Sequence, residues 1–452
     1  MPRLLRGRLL AAALVLPLLA AACTAGTSAR EPATAVTVTA DSTAASPTTG
    51  SSVSVGVPSS AVGRPSSADP APSSPSISTP PTSRSAPSII PGPRVSTVPA
   101  NGATGVSPTA PVRVTAQNGT FGTVAMTNPD GRAVKGALSA DKTSWTSTEP
   151  LGYGRSYTLT SVASTATGQS TRTTSRFTTL NPAQTIYPSF FPNPTMKTVG
   201  VGQPMVVIFD KPPADKVAAE KALSVKTVPA VKGAWYWWDD RTLHYRAKDY
   251  WKSGTKITVS AAVYGVNLGG GAYGETDRTM TVTIGPSKIA RVDDRTKKME
   301  VFVNGKLTKT YPVSLGMDKR VTVGGTDISF VTPSGTYVAQ EKYVVKQMSS
   351  ATYGLPVNSS LGYDSKIPLA VRFSNEGIFV HSAPWSVDDQ GVRNVSHGCI
   401  NLPPAGGQWF YDNFGYGDIL TVKGTSTQLA PTDGFGDWNL SWDKWLTGSA
   451  LT

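Results

Sequence analysis

The chain carries the segment Ser396-His397-Gly398-Cys399-Ile400-Asn401, and another histidine, His381, lies eighteen residues before the cysteine. The sequence has three histidines and two cysteines, and Cys399 is the only cysteine after position 23. A thiol close in sequence to two imidazoles is typical of nucleophilic catalysis, because a neighbouring imidazole can take the thiol proton. The alternative is an inert buried cysteine, a common fate of a single cysteine. The two histidines favour the catalytic interpretation.

His381 and His397 are both candidates for the base. His397 lies two residues before Cys399, so in an extended segment both side chains project to the same side. His381 ends an apolar segment, and a base delivered from an adjacent strand suits a cysteine at a strand end. Gly398 and Asn401 allow a tight backbone, and we expect its N–H groups to form an oxyanion hole.

The N-terminus reads as an export signal, residues 1–22. Three arginines in the first eight residues precede an uncharged run from Leu9 to Ala22, which is too short to be a good membrane span. The small residues before Cys23 resemble the lipobox of bacterial lipoproteins, which implies acylation of Cys23. Ala20 stands where leucine is commonest, so ordinary signal cleavage stays open. In either case the protein is expected to be exported to an oxidising compartment. Cysteines there are usually paired in disulfides, so an unpaired thiol favours a functional role.

Residues 23–92 are rich in Ser, Thr, Pro and Ala and cannot bury a core, so we predict a disordered stalk spanning roughly 45 Å on average. The formal net charge is +13, of which three charges lie on the signal arginines and none, on balance, on the stalk, leaving +10 on the folded part. This positive charge favours an acidic polymer as the binding partner. Export and the lack of a Lys/Arg-rich run argue against nucleic acid, and anionic wall polymers or lipid head groups fit better.

From Arg94 onward, short alternating segments are separated by turn signals. The pattern of residues 93–181 recurs in residues 182–285, which predicts two immunoglobulin-like β-sandwiches, more often spacers or docking modules than catalysts. In the second unit, Trp235, Trp237 and Trp238 indicate either core and inter-domain packing or a platform for sugar rings. His244 has no metal-ligand neighbour, and we interpret it as structural.

A third unit spans residues 286–424 and begins with a β-hairpin whose corner is Asn304-Gly305. The tail, residues 425–452, carries Trp438, Trp442 and Trp445. On a helix these three rings would share one face, so we predict a helical tail that docks on the third unit.

The complete pattern of His381, fourteen intervening residues and the segment 396–401 resembles the signature of the L,D-transpeptidases, with their YkuD-type catalytic domain. Thr332-Pro333-Ser334-Gly335-Thr336-Tyr337 resembles that family's Thr-Pro-x-Gly segment. The lipobox, stalk, paired sandwiches and Trp-rich tail are similar to the mycobacterial-type members. The resemblance implies a mainly β protein: two immunoglobulin-like sandwiches, a β-rich YkuD-type catalytic domain and a short helical tail.

The resemblance also implies roles for individual residues. Cys399 would be the nucleophile, and His381 the general base and later acid. The carbonyl of Ser382 would orient the His381 ring, while His397 and Gly398 would shape the other side of the thiol. Tyr363 would belong to a lid and help to hold the oxyanion, although a plain surface role also fits it. Met348 and Trp385 also fit plain core packing. The implied substrate contacts are Tyr363, Met348, Trp385, Ser396, Asn401 and the segment Glu376-Gly377.

The reaction implied by the family is acyl transfer between peptidoglycan stem tetrapeptides, a donor and an acceptor, through a thioester on Cys399. It releases D-alanine and forms a 3→3 cross-link. No cofactor or metal is expected, carbapenems should acylate Cys399, and we expect a monomer. Hydrolysis of the acyl-enzyme, attachment of a protein to the wall, and a non-catalytic wall-binding lipoprotein stay open. A papain-like peptidase has its cysteine before the histidine, the reverse of the order here.

Overall fold

A computed structural model describes residues 91–452. The predicted signal, the predicted lipidation of Cys23 and all but the last two residues of the predicted stalk lie outside the described residues. The described chain is mainly β-structure, as the sequence predicts. Within that part of the chain, no helix has the length and apolar character needed to cross a membrane.

The first unit is a sandwich of two antiparallel sheets, with strand orders β1-β2-β5-β4 and β3-β6-β7. Along β6, buried and half-buried side chains alternate, so that one face packs on a core to which both sheets contribute. The strands are β1 Arg94–Val98, β2 Arg113–Gln117, β3 Thr120–Thr127, β4 Gly136–Leu138, β5 Ser144–Ser147, β6 Ser156–Ser164 and β7 Ser170–Thr178.

The second unit has two four-stranded sheets, β10-β17-β15-β12 and β13-β14-β11-β9, and a small β8/β16 pair. Trp235 lies in its core, Trp237 donates to Glu220, and Trp238 stacks on His244, so these tryptophans serve packing. The elements are β8 Gln184–Ile186, β9 Pro188–Phe191, β10 Thr198–Val199, β11 Met205–Phe209, α1 Lys216–Lys221, β12 Leu223–Val228, β13 Gly233–Trp237, β14 Thr242–Ala247, β15 Lys256–Ala261, β16 Ala272–Gly274 and β17 Arg278–Ile284.

The third unit contains a five-stranded sheet, β20-β19-β18-β28-β23, a four-stranded sheet, β24-β25-β26-β27, and a β21/β22 hairpin. The predicted corner at Asn304-Gly305 is confirmed: both residues have positive φ, which a tight hairpin turn requires and which these two residue types tolerate. The elements are β18 Lys288–Asp293, β19 Lys298–Val303, β20 Lys306–Pro312, β21 Arg320–Val323, β22 Thr326–Ser329, β23 Gly335–Val338, β24 Glu341–Ser349, β25 Asp364–Arg372, β26 Phe379–Ser382, β27 Ile400–Leu402, α2 Pro404–Asn413 and β28 Ile419–Lys423.

The tail differs from the predicted single helix. Helix α3 spans only Trp442–Leu446, because Leu440 is extended and Ser441 caps the helix with its hydroxyl, while Trp438 lies in an earlier 3₁₀ turn. The three tryptophan rings nevertheless converge, because all three pack against the guanidinium of Arg246. Tertiary contact and not helical spacing brings them together.

The tail also docks more widely than predicted. Asn439 exchanges hydrogen bonds with the backbone of Thr336 in the third unit. On the second sandwich, Asp437 pairs with His244 over 2.7 Å, and both side chains are buried. His244 therefore has the structural role that the sequence indicated, and the tail joins the second and third units.

Replacing Trp445 by alanine is expected to lower the free energy of unfolding by about 3–5 kcal/mol, since a large buried ring is lost. Trp445 is fully buried, and its Nε1 donates to the Ala234 carbonyl over 2.9 Å. Denaturant unfolding followed by circular dichroism measures the change. Leu446→Ala, which truncates the neighbouring side chain that is 38% exposed, is the control. Equal effects of the two substitutions would contradict this account of the tail.

Candidate active site

Strands β26 and β27 bring the predicted nucleophile and base together. They pair in parallel, with Val380 opposite Ile400 and His381 opposite Asn401. Cys399 directly precedes β27, and side chains alternate along a strand, so the thiol falls on the sheet face that carries His381. A parallel pair needs a long crossover connection, and the eighteen-residue spacing provides it.

His381 is 4% exposed, and its Nδ1 donates to the carbonyl of Ser382 over 3.0 Å. A carbonyl can only accept, so Nδ1 carries the proton and Nε2 keeps its lone pair. Burial lowers the pKa of His381 to about 4, against the smaller opposing effect of that hydrogen bond. The imidazole is therefore neutral at pH 7 and able to accept a proton.

The Cys399 thiol donates to the carbonyl of Gly377, with sulfur and oxygen 3.6 Å apart. Burial raises the pKa of Cys399 to about 11, and a hydrogen bond with the Phe379 backbone acts in the opposite sense. In the resting state the thiol and the imidazole on the same sheet face are therefore both neutral and do not form a thiolate–imidazolium pair. The proton has to move when a substrate is engaged.

The backbone around the nucleophile is held by two hydroxyls. Thr332 donates to the Gly398 carbonyl over 2.7 Å and accepts from the Gly316 N–H over 2.8 Å. Ser396 donates to the Cys399 carbonyl over 2.6 Å. The Thr-Pro-Ser-Gly segment, which the sequence matched only as a pattern, thus supplies a physical support for the nucleophile.

The backbone N–H groups of the segment that contains Gly398 and Asn401 are predicted to form an oxyanion hole, and two of these groups are engaged elsewhere. The Gly398 N–H donates to the Ser396 hydroxyl, and the Asn401 N–H donates to the Ser314 carbonyl, so both donors are already engaged. Tyr363, the other predicted oxyanion donor, lines the cleft, and burial raises its pKa further above 7, so its hydroxyl is protonated at pH 7.

A cleft of about 720 Å³ opens over Cys399. It brings together residues from four separate parts of the third unit and from the tail. Of the residues predicted from the sequence, the cleft is lined by Cys399, Gly398, His397, Tyr363, Met348, Glu376 and Gly377.

His397 serves a different purpose from His381. Its Nε2 donates to the Leu361 carbonyl over 2.8 Å, and its ring packs against Tyr363 and Phe330 at 4.9 and 4.7 Å. His397 therefore ties the segment between β24 and β25 to the nucleophile's segment. Each histidine donates through one ring nitrogen only, and of the two His381 is the one held in a strand that pairs with β27, on the nucleophile's sheet face.

Three predicted substrate contacts do not line the cleft. Asn401 is 2% exposed, and its Nδ2 donates to the Ser386 hydroxyl over 2.9 Å. Trp385 is 57% exposed and stacks on the His381 ring, with centroids 5.8 Å apart. Ser396 is occupied with the backbone of Cys399. These residues support the catalytic pair and do not face the cleft.

Several cleft residues were not predicted from the sequence. Tyr353 lies beside Tyr363, with ring centroids 6.3 Å apart, and its hydroxyl is buried. Arg372 and the tail residue Asp433 also line the cleft. No local motif marks these positions, because they reach the thiol only through tertiary folding. Among residues 91–452, no cluster of three or more His, Cys, Asp or Glu side chains is placed to hold a metal ion.

Fold and site together are those of a cysteine acyltransferase: a neutral thiol in a cleft, a buried neutral imidazole on the same sheet face, and immunoglobulin-like sandwiches before the catalytic unit. Residues 103–267 match the bacterial Ig domain, and residues 287–423 match the L,D-transpeptidase catalytic domain, YkuD. L,D-transpeptidase 2 of Mycobacterium tuberculosis strain CDC 1551 is 44% identical over 351 residues, which cover 77% of this chain and 83% of that protein. The chain belongs to the L,D-transpeptidase family.

Other relatives extend the comparison. L,D-transpeptidase 5 of Mycobacterium tuberculosis strain H37Rv is 37% identical over 368 residues, covering 80% of this chain and 78% of that protein. A solved structure of an L,D-transpeptidase in complex with imipenem matches 52% of this chain and 97% of its own, with 33% identity and a TM-score of 0.44.

Proposed function

We propose that this enzyme forms 3→3 cross-links in peptidoglycan by acyl transfer through Cys399. The observation that carries the proposal is the thiol of Cys399 in a cleft of about 720 Å³, next to a strand whose His381 keeps Nε2 free. A stem peptide is a long chain with both polar and apolar groups, and a wide cleft lined by polar and apolar side chains suits it. Family membership supports the same reaction.

In the first half-reaction, His381 Nε2 takes the thiol proton as sulfur attacks the carbonyl carbon at the L-centre of diaminopimelate in a donor tetrapeptide. The Tyr363 hydroxyl donates to the developing oxyanion. When the tetrahedral species collapses, the bond to the terminal D-alanine breaks, and the imidazolium returns its proton to the leaving amine. A thioester on Cys399 is left.

In the second half-reaction, the side-chain amine of an acceptor stem attacks the thioester carbonyl. His381 removes a proton from that amine, the carbon–sulfur bond breaks, and the thiol is restored by the same proton. The products are the cross-linked dimer and free enzyme. The exchange conserves one acyl bond throughout, so it needs no external energy source.

The test is mass spectrometry of a purified disaccharide-tetrapeptide after incubation with a protein starting at Arg94. A dimer lighter than two substrates by one alanine supports the proposal. Monomeric tripeptide alone would show hydrolysis and reassign the enzyme as a carboxypeptidase. Unchanged substrate, with no covalent carbapenem adduct on Cys399, would leave a wall-binding protein.

We also propose that the mature protein is anchored through a lipid on Cys23 at the outer face of the cell membrane and reaches into the wall. The basic, then apolar, start and the small residues before Cys23 support this. Cys23→Ala is expected to move the protein from the membrane fraction to the soluble fraction. An unchanged distribution in fractionated cells, judged by immunoblot, would rule out this anchor.

A further inference from the structure

The turn between β25 and β26, residues 374–377, lies directly at the nucleophile. Its last carbonyl, that of Gly377, accepts the hydrogen bond from the Cys399 thiol. Gly377 precedes β26 and so is not held by the sheet. Phe379, which also contacts the thiol through its backbone, is paired with Arg372 of β25. The position of the Gly377 carbonyl therefore depends on whatever fixes the turn.

Two side chains of the third unit fix part of this turn. Arg372 donates from Nε to the Ser374 carbonyl and from Nη2 to the Asn375 carbonyl, both over 2.8 Å. The fully buried Ser374 hydroxyl accepts from the N–H groups of Gly377 and Ile378, over 3.2 and 3.0 Å. The Glu376 N–H, the amide directly before Gly377, is held by neither side chain, and its partner comes from elsewhere.

That partner is Asp433, in the tail. Its Oδ1 accepts from the Glu376 N–H over 2.9 Å, its side chain is 6% exposed, and it lines the same cleft as the thiol. Four residues further on, Asp437 pairs with His244 of the second sandwich. The tail is thus anchored firmly at the point where it holds the turn.

We propose that Asp433 is a positioning residue, which holds the Gly377 carbonyl against the Cys399 thiol through the Glu376 amide. The carbonyl stabilises the protonated thiol and fixes its orientation until His381 takes the proton. The consequence for cross-linking rests on the function proposed above. The contact with the thiol does not, and it is measured by alkylation without any peptidoglycan substrate.

Asp433→Ala removes the acceptor, whereas Asp433→Asn keeps an oxygen that can accept the same hydrogen bond. We expect the pH profile of Cys399 alkylation by iodoacetamide to shift to lower pH in Asp433→Ala by about half to one unit, because the thiol loses a hydrogen-bond acceptor. Asp433→Asn should keep the wild-type midpoint. The other titratable and charged groups around the thiol are the same in every variant: His381, His397, Tyr353, Tyr363, Asp327, Lys346, Arg372 and Glu376. Both substitutions remove the carboxylate of Asp433, so the difference between Asp433→Ala and Asp433→Asn isolates the hydrogen bond to the Glu376 N–H.

Ser374→Ala is a second route to the same result, since it frees the Gly377 end of the turn without touching the tail, and it should shift the profile in the same direction. Asp443→Ala, an exposed carboxylate on helix α3, is the matched control and should leave the profile in place. An unshifted Asp433→Ala, or an equal shift in Asp433→Asn, would overturn the proposal. If wild-type Cys399 is alkylated but never acylated by a carbapenem, the proposed function fails and this inference is unaffected.

Discussion

Replacing Cys399 by alanine is expected to lower the rate of dimer formation by at least about 10⁴-fold, since residues 91–452 contain no other thiol to carry the acyl group. Cys399→Ser should be nearly as inactive. The base that serves the thiol is a buried imidazole whose pKa is about 4, and so weak a base does not deprotonate an alcohol efficiently.

The measurement is dimer formed per unit time, by liquid chromatography and mass spectrometry, with equal amounts of folded protein. Carbapenem binding gives an independent readout: the wild type should gain the mass of one carbapenem, and neither variant should gain a covalent adduct. Turnover by Cys399→Ala above a few per cent of wild type would mean that another group carries the acyl chain.

Replacing His381 by glutamine is expected to slow acylation of Cys399 about 10²–10⁴-fold, the usual contribution of a general base. Glutamine approximates the size of imidazole and can donate a hydrogen bond to the Ser382 carbonyl, but it cannot take a proton. The second-order rate constant for carbapenem acylation measures the loss. Thermal unfolding checks that the variant is folded, and an acylation rate within about threefold of wild type would exclude His381 as the base.

The pH dependence of the wild type follows from the same pair. Proton transfer needs a neutral imidazole and a protonated thiol, and burial sets their pKa values at about 4 and about 11. His381 is neutral above its pKa. The value of kcat/KM for the donor tetrapeptide should therefore be constant from about pH 5 to pH 9 and fall as the pH drops through about 4. An ordinary histidine would produce a fall centred near 6.5. A loss of activity at that pH would contradict the buried, neutral base described here.

The pairing of the strands that carry His381 and Cys399 was predictable from the sequence, because these residues belong to a short, recognisable pattern. Rare residue types, Cys399 and His381, stand at a spacing that suits two paired strands, and the alternation of the preceding segments indicates β-sandwiches. The Asn304-Gly305 corner is equally local, because few residue pairs tolerate positive φ at both positions. Such features depend on the neighbours of a residue along the chain.

The limits of the sequence appear where a residue's partner is remote. The spacing predicted that Trp438, Trp442 and Trp445 share one helix. In the structure the three rings lie together because each packs against the buried guanidinium of Arg246. Free backbone donors were expected at Gly398 and Asn401, but Ser396 and Ser314 already occupy them.

The sequence by itself determined the class of the fold, the nucleophile's segment and the family resemblance. Only the tertiary structure decided which carbonyl each histidine binds, which side chains face the cleft, and that Asp433 reaches the turn at Cys399. The physical reason is that residue types and the periodicity of apolar residues are properties of each local segment of the sequence. A side chain's hydrogen-bond partners and its burial, and hence its pKa, are set by groups far away along the chain, as Asp433 and Glu376 show.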